Sequence, residues 1–223
     1  MNIAIDGPAG AGKSSIAKLV AKELSYVYVD TGAMFRAMAY FFLSRGLDVY
    51  DEDIIREHCA KIQVGIEYPE GIQHILLNGM DVSEEIRKEQ VGKAASVVAR
   101  YEIIREKLLE LQRKLASEQD VIMDGRDIGT VVLPDAQVKI YLTASSAVRA
   151  ERRYKELTDK GETCDLAEIE KGIIARDTQD MNREIAPLRQ AEDAVCLDTS
   201  DLTIPEVVEK IKEIVQTKAG NAS

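Results

Sequence analysis

The stretch Gly7-Pro8-Ala9-Gly10-Ala11-Gly12-Lys13-Ser14 follows the apolar run Ile3-Ala4-Ile5 and opens a segment whose apolar residues recur at helical spacing. Strand, glycine loop and helix, in that order, are the structure it predicts. The spacing G-x-x-x-x-G-K-[ST] suits a triphosphate, because glycines let backbone N–H groups curl around the anion. Lys13 then reaches the β and γ phosphates, and Ser14 offers its hydroxyl to Mg²⁺. The positive end of the following helix adds to the same pocket. Gly7, Pro8, Ala9, Gly10, Ala11, Gly12, Lys13, Ser14 and Ser15 are therefore the expected contacts of a nucleotide triphosphate.

Working outward, five short apolar runs at residues 3–5, 27–29, 121–123, 138–142 and 194–197 read as strands, with helical patterns between most of them. That alternation favours parallel crossovers. The expected fold is α/β, a P-loop NTPase-type five-stranded parallel sheet with helices on both faces, the nucleotide lying at the C-terminal edge of the strands. One section breaks the rhythm. Residues 62–68, 72–78 and 80–82 read as short strands joined by Pro69-Glu70-Gly71 and Asn78-Gly79, turn signals for hairpins. A small antiparallel insertion over residues 62–82 is expected within an acceptor-binding region at 31–100, all in a single domain of residues 1–223. The tail from Thr217 to Ser223 is expected to fray.

The chain has 223 residues, 45% of them hydrophobic, enough for a sizeable core. Its formal net charge of -10 argues against nucleic acid or an anionic membrane as partner, since both demand a basic surface. Cys59, Cys164 and Cys196 have no C-x-x-C spacing and are expected as free thiols in a reducing cytoplasm. No run reaches transmembrane length, and a first strand at Asn2 leaves no room for a signal peptide. A cytoplasmic monomer is expected, and His58 and His74 sit in no catalytic pattern.

Three further stretches carry chemistry. In Asp30-Thr31-Gly32-Ala33-Met34-Phe35-Arg36, Arg36 lies about one turn into a helix, where a guanidinium can fork onto a phosphate. In Val121-Ile122-Met123-Asp124-Gly125-Arg126-Asp127-Ile128-Gly129-Thr130, a strand ends in an acid placed where P-loop enzymes organise Mg²⁺, so Ser14 and Asp124 are the metal candidates. Arg126 and Asp127 suit an anion and a donor-rich base. Arg176, Asp180 and Arg183 are spaced to share one helical face. Upstream, Arg149, Arg152 and Arg153 begin a polar region, and residues 150–170 are expected as a mobile lid whose arginines reach the transferring phosphoryl group. Taken singly, the first stretch also reads as Thr31 capping a helix with Arg36 solvated, the second as a tight turn, and the third as an exposed salt-bridge face.

Together they resemble the bacterial-type cytidylate kinases among the P-loop nucleoside monophosphate kinases, over nearly the whole chain. The most specific pieces are Ile5-Asp6-Gly7-Pro8-Ala9-Gly10-Ala11-Gly12-Lys13-Ser14-Ser15, the Asp30 to Arg36 and Asp124 to Thr130 stretches quoted above, and Asp180-Met181-Asn182-Arg183. Thr31 stands where a serine is common, and both carry the hydroxyl. The resemblance implies ATP-dependent phosphorylation of CMP or dCMP, with Lys13, Arg126, Arg183, Arg152 and Arg153 as the catalytic cations. Thr31 and Arg36 belong to the acceptor site; Arg36, Arg126 and Arg183 would hold its phosphate. Ser96, Arg105 and Asp127 would contact cytosine, and Arg176 and Asp180 the sugar hydroxyls. Ser96 and Arg105 lie nine residues apart, on opposite faces of any continuous helix, so a break over residues 99–102 is expected although no Pro or Gly marks it. Another small-molecule P-loop kinase and a non-catalytic nucleotide switch are the competing classes; N-K-x-D and D-x-x-G, the marks of a GTPase, are absent from the sequence.

Overall fold

The computed structural model describes residues 1–220. Five short apolar runs form a parallel sheet, whose middle strands are too apolar to leave either face in water. The five are β1 (Asn2–Asp6), β2 (Val27–Asp30), β6 (Val121–Gly125), β7 (Val138–Thr143) and β8 (Val195–Asp198), in the order β2-β6-β1-β7-β8. β1 pairs in parallel with β6 through Ile3↔Ile122 and with β7 through Ile5↔Ile140. Each expected strand is present, shifted by one or two residues.

The chain divides into two compact units. The first, Met1–Tyr26 with Asp120–Ser223, holds β1, β6, β7 and β8 with α1 (Lys13–Leu24), α6 (Ser146–Asp159), α7 (Leu166–Asn182) and α8 (Ile204–Gly220). Its core is Ile3, Ile5, Ile122, Val138 and Leu142, all essentially inaccessible to water. α8 buries Val207, Ile211 and Val215 at four-residue spacing. That stripe keeps the chain helical to Gly220, where the sequence suggested fraying from Thr217; residues 221–223 lie outside the described part.

The second unit, Val27–Gln119, packs α2 (Thr31–Leu43), α3 (Glu52–Cys59), α4 (Glu89–Val98) and α5 (Glu102–Glu118) around Met34, Met38, Phe42, Ile55, Ile104 and Leu108. It carries the expected antiparallel sheet, β3 (Val64–Glu67), β4 (His74–Leu77) and β5 (Met80–Asp81). Asn78 and Gly79, at φ 50° and 83°, make the left-handed turn that matches strand twist. The helix break is also present: α4 ends at Val98 and α5 starts at Glu102.

At Gly7, φ is 148° and an added Cβ would stand 1.9 Å from the Leu142 carbonyl oxygen of β7, so only glycine lets the loop leave β1 there. Gly92 is the converse, a helical glycine with open space about its Cα. Gly7→Ala is expected to destabilise the protein by several kcal/mol, on the order of 3, and Gly92→Ala to stabilise it by ~0.5–1 kcal/mol in urea unfolding.

Candidate active site

The first unit gathers cations around the loop after β1. α1 begins at Gly12 in the left-handed region, with no side-chain cap and no acid in its first turn. By contrast α2, α3, α6 and α7 are capped by Asp30, Asp51, Ser145 and Asp165. Glycine at that position leaves the first N–H groups of α1 to an anion. Lys13 is 5% exposed and donates from Nζ to the Pro8 carbonyl at 2.7 Å. Burial, and then the nearby Arg126, push its ammonium well below the ordinary lysine value; Arg176 adds to this, while Asp124 and Asp6 oppose it. A buried cation disfavoured in this way is the electrostatic counterpart of a polyphosphate.

Ser14 Oγ donates to Asp124 Oδ2 at 2.8 Å, bringing both metal candidates together at the end of β6. Hard oxygens from a hydroxyl and one carboxylate fit Mg²⁺, which keeps most of its shell for water and phosphate. Among the described residues no group of three His, Cys, Asp or Glu forms a metal cage.

After β6 the chain makes one turn of π-helix, Ile128–Val132. Arg126 Nε donates to Asp180 Oδ2 at 2.9 Å. Arg183 Nη2 donates to Asp127 Oδ1 at 3.1 Å, and its Nε to the Ala186 carbonyl at 2.6 Å. Arg183 is not on the helical face expected for it. α7 ends at Asn182, because the Leu188 N–H takes the Asp180 carbonyl that the next turn would have used. Arg176 and Asp180 do lie in α7, Arg176 exposed and Asp180 buried.

The expected lid, residues 150–170, spans the end of α6, a turn at Gly161 and the start of α7. Its arginines separate. Arg152 donates from Nη2 to the Thr199 carbonyl at 2.6 Å, and Arg153 pairs with Glu156 on the surface of α6. Neither is brought to the loop. Arg149 is: it is buried, donates from Nη1 to the Ala9 carbonyl at 2.8 Å, and pairs from Nη2 with Asp177 of α7 at 2.7 Å.

In the second unit Arg36 Nη2 donates to Asp30 Oδ2 at 2.9 Å, while Asp30 Oδ1 caps α2 through the Ala33 N–H. Asp30, not Thr31, is thus the cap, and Thr31 is buried as the first helical residue. The half-buried Ser96 lies on α4 and Arg105 on α5. Arg105 donates to the Ala99 carbonyl at 3.2 Å, in the break between the helices, and its guanidinium stands 5.4 Å from the Phe35 ring centroid.

Sequence reasoning missed Asp6, Asp177 and Gln73 as parts of these sites. The Gln73 amide brackets the Asp30 backbone, accepting its N–H at 2.8 Å. Asp6 was legible only as a strand-end acid beside the glycine loop.

A helix start and a buried ammonium left to an anion, among guanidiniums, define a phosphate-handling protein of the P-loop kinase class. The profile of the cytidylate kinase family matches residues 3–217, and the chain belongs to that family. It is 50% identical over 221 residues to a cytidylate kinase of Lactobacillus gasseri, covering 99% of this chain and 96% of the relative. With a cytidylate kinase of Bacillus cereus it shares 48% identity over 215 residues, 96% of each chain. A solved structure of an uncharacterized protein from Eubacterium ventriosum, 12% identical, superposes with TM-score 0.54 over 97% of this chain and 98% of that one, a likeness of fold alone.

Asp6 supplies a pH test. Burial above all pushes its carboxyl up from 3.8 to about 6, against the pull of two backbone donors, Gly129 and Ile128. A raised carboxyl contributes stability that is present below 3.8 and lost as pH rises to about 6. Measured by urea unfolding, the stability of the native chain relative to Asp6→Asn is expected to fall across that window by up to about 3 kcal/mol and to level off above it.

Proposed function

We propose that residues 7–15 hold the polyphosphate of ATP while Arg36, Arg126 and Arg183 hold the phosphate of CMP or dCMP, the products being ADP and CDP or dCDP. Membership of the cytidylate kinase family makes the chain a nucleotide kinase that draws on ATP. The observation that carries the residue roles is the Lys13 ammonium, buried and disfavoured by neighbouring cations at an uncapped helix start.

An oxygen of the acceptor phosphate attacks the γ phosphorus, the bond to the β–γ bridging oxygen breaks, and ADP leaves with that electron pair. No side-chain nucleophile is needed, and the acceptor phosphate, a dianion near neutral pH, has no proton to give up. The work of the residues is orientation and charge neutralisation. Lys13 and the α1 N–H groups bind the donor phosphates, and the guanidiniums of Arg126 and Arg183 neutralise charge on the phosphates. Arg152 and Arg153 would join them on closure of residues 150–170. Ser14 and Asp124 would hold Mg²⁺, which when bound spreads the phosphate charge.

Asp127, with Ser96 and Arg105, would select cytosine; Arg176, Asp180 and Thr31 would bind the rest of the acceptor nucleotide. An acid suits the amino donor of cytosine. Uracil presents a carbonyl at that place, and the mispairing is expected to cost about 1–3 kcal/mol. The reaction belongs in a cytoplasmic monomer; free Cys59, Cys164 and Cys196 support a reducing compartment. Among the described residues no helix is long and apolar enough to cross a membrane.

In an ADP-release assay with Mg·ATP and CMP, dCMP, UMP, AMP, GMP or shikimate, turnover is expected on CMP and dCMP, with UMP a poor acceptor. Asp127→Ala is expected to relax or lose that preference. Equal turnover of UMP and CMP by the native chain overturns the role of Asp127, and ATP binding without transfer overturns the whole reading.

A further inference from the structure

The π-helical turn Ile128–Val132 has no cap from its own flanking residue: the Asp127 side chain, at the cap position, accepts no N–H of the turn. Elsewhere in the chain an acid in that place behaves differently, Asp30, Asp51 and Asp165 each turning back on their own helix. The donors after Asp127 go to another strand. Asp6, the last residue of β1, accepts the Ile128 N–H at 2.8 Å on Oδ1 and the Gly129 N–H at 2.7 Å on Oδ2. With both oxygens used and 5% exposure, Asp6 is aimed wholly into this turn.

We infer that Asp6 is a positioning residue for base selection: by capping the turn from β1 it turns the Asp127 carboxylate away from its own backbone and toward Arg183 and the acceptor base. The physical contest is between two carboxylates for one set of amide donors. Next to an uncapped turn, Asp127 would be drawn onto the Ile128 or Gly129 N–H, as aspartates at helix starts are. Asp6 occupies both donors. The Asp127 carboxylate then pairs with Arg183 at 3.1 Å, both side chains buried. Because Gly7 follows Asp6 directly, the loop that takes ATP and the turn that bears Asp127 are fixed by one residue. This inference rests on the reading of Asp127 as the cytosine reader.

Asp6→Asn keeps the size and one acceptor but sets an NH₂ against the second amide. Assayed on the full chain with CMP and with UMP, it is expected to lower kcat/KM for CMP about tenfold or more, the loss of a charge-assisted hydrogen bond, and to shrink the preference over UMP. The KM for CMP is expected to rise more than the KM for ATP, where general damage to the loop would raise the ATP value most. In an Asp127→Ala background, Asp6→Asn is expected to remove no further preference. Amide exchange of residues 126–133 is expected to quicken in Asp6→Asn.

Gly129→Ala attacks the same cap from the other side and serves if Asp6→Asn does not fold. Its Cβ would meet Lys139 Cδ at 3.2 Å and Asp6 Oδ2 at 3.4 Å, and the same pattern is expected in milder form. Retained preference in Asp6→Asn when Asp127→Ala loses it, unchanged exchange, or an equal further loss in both backgrounds overturns the inference alone. Retained preference in Asp127→Ala overturns the cytosine reading and the inference with it.

Discussion

Lys13 places an ammonium where water is excluded and where Arg126 and Arg176 repel it, and the first unit is arranged around that unfavourable charge. The Pro8 carbonyl accepts a hydrogen bond from it, and Asp124 and Asp6 oppose the repulsion from the ends of two neighbouring strands. In the proposed reading a polyphosphate supplies the remaining countercharge, together with acceptors for the N–H groups at the start of α1. On that reading the site would select for charge before shape, since a neutral ligand leaves the burial of Lys13 uncompensated.

The guanidiniums proposed for the acceptor phosphate and the acids proposed for sugar and base are paired with each other, Arg126 with Asp180 and Arg183 with Asp127. Asp180 and Asp127 are almost wholly buried. These pairs hold the side chains extended in one geometry, so ligand binding exchanges charge-assisted hydrogen bonds instead of creating them from a solvated start. That lowers the ordering cost and limits the net gain.

Much of this is readable in the sequence because local chemistry carries it. The Val and Ile runs of β1, β6 and β7 admit only strands buried on both faces, and Asn78-Gly79 admits little but a left-handed hairpin turn. The break between α4 and α5 has no breaker residue; it follows from requiring Ser96 and Arg105 on one ligand, and Ala99, Arg100 and Tyr101 supply it, Tyr101 Oη donating to the Val49 carbonyl. What stayed hidden depends on distant partners. Asp6 and Gly129 are 123 residues apart, and Ala9 and Asp177 are 168 apart. Several of these residues stand in marked stretches, but nothing local ties one end of such a pair to the other. Distant partners also separate Arg149, Arg152 and Arg153, which look alike in sequence: only the fold sends the first to the glycine loop and the second to Thr199.

β1 has its hydrogen-bonded neighbours, β6 and β7, more than a hundred residues further along the chain. During synthesis the glycine loop therefore emerges long before the strands that set its shape. The intervening residues 27–119 form a contiguous compact unit with local helical pairings, which can condense while β1 still waits. The nascent chain thus carries an unpaired apolar strand through half of its own elongation. Its protection from aggregation in that interval comes from the brevity of β1, five residues ending in an acid.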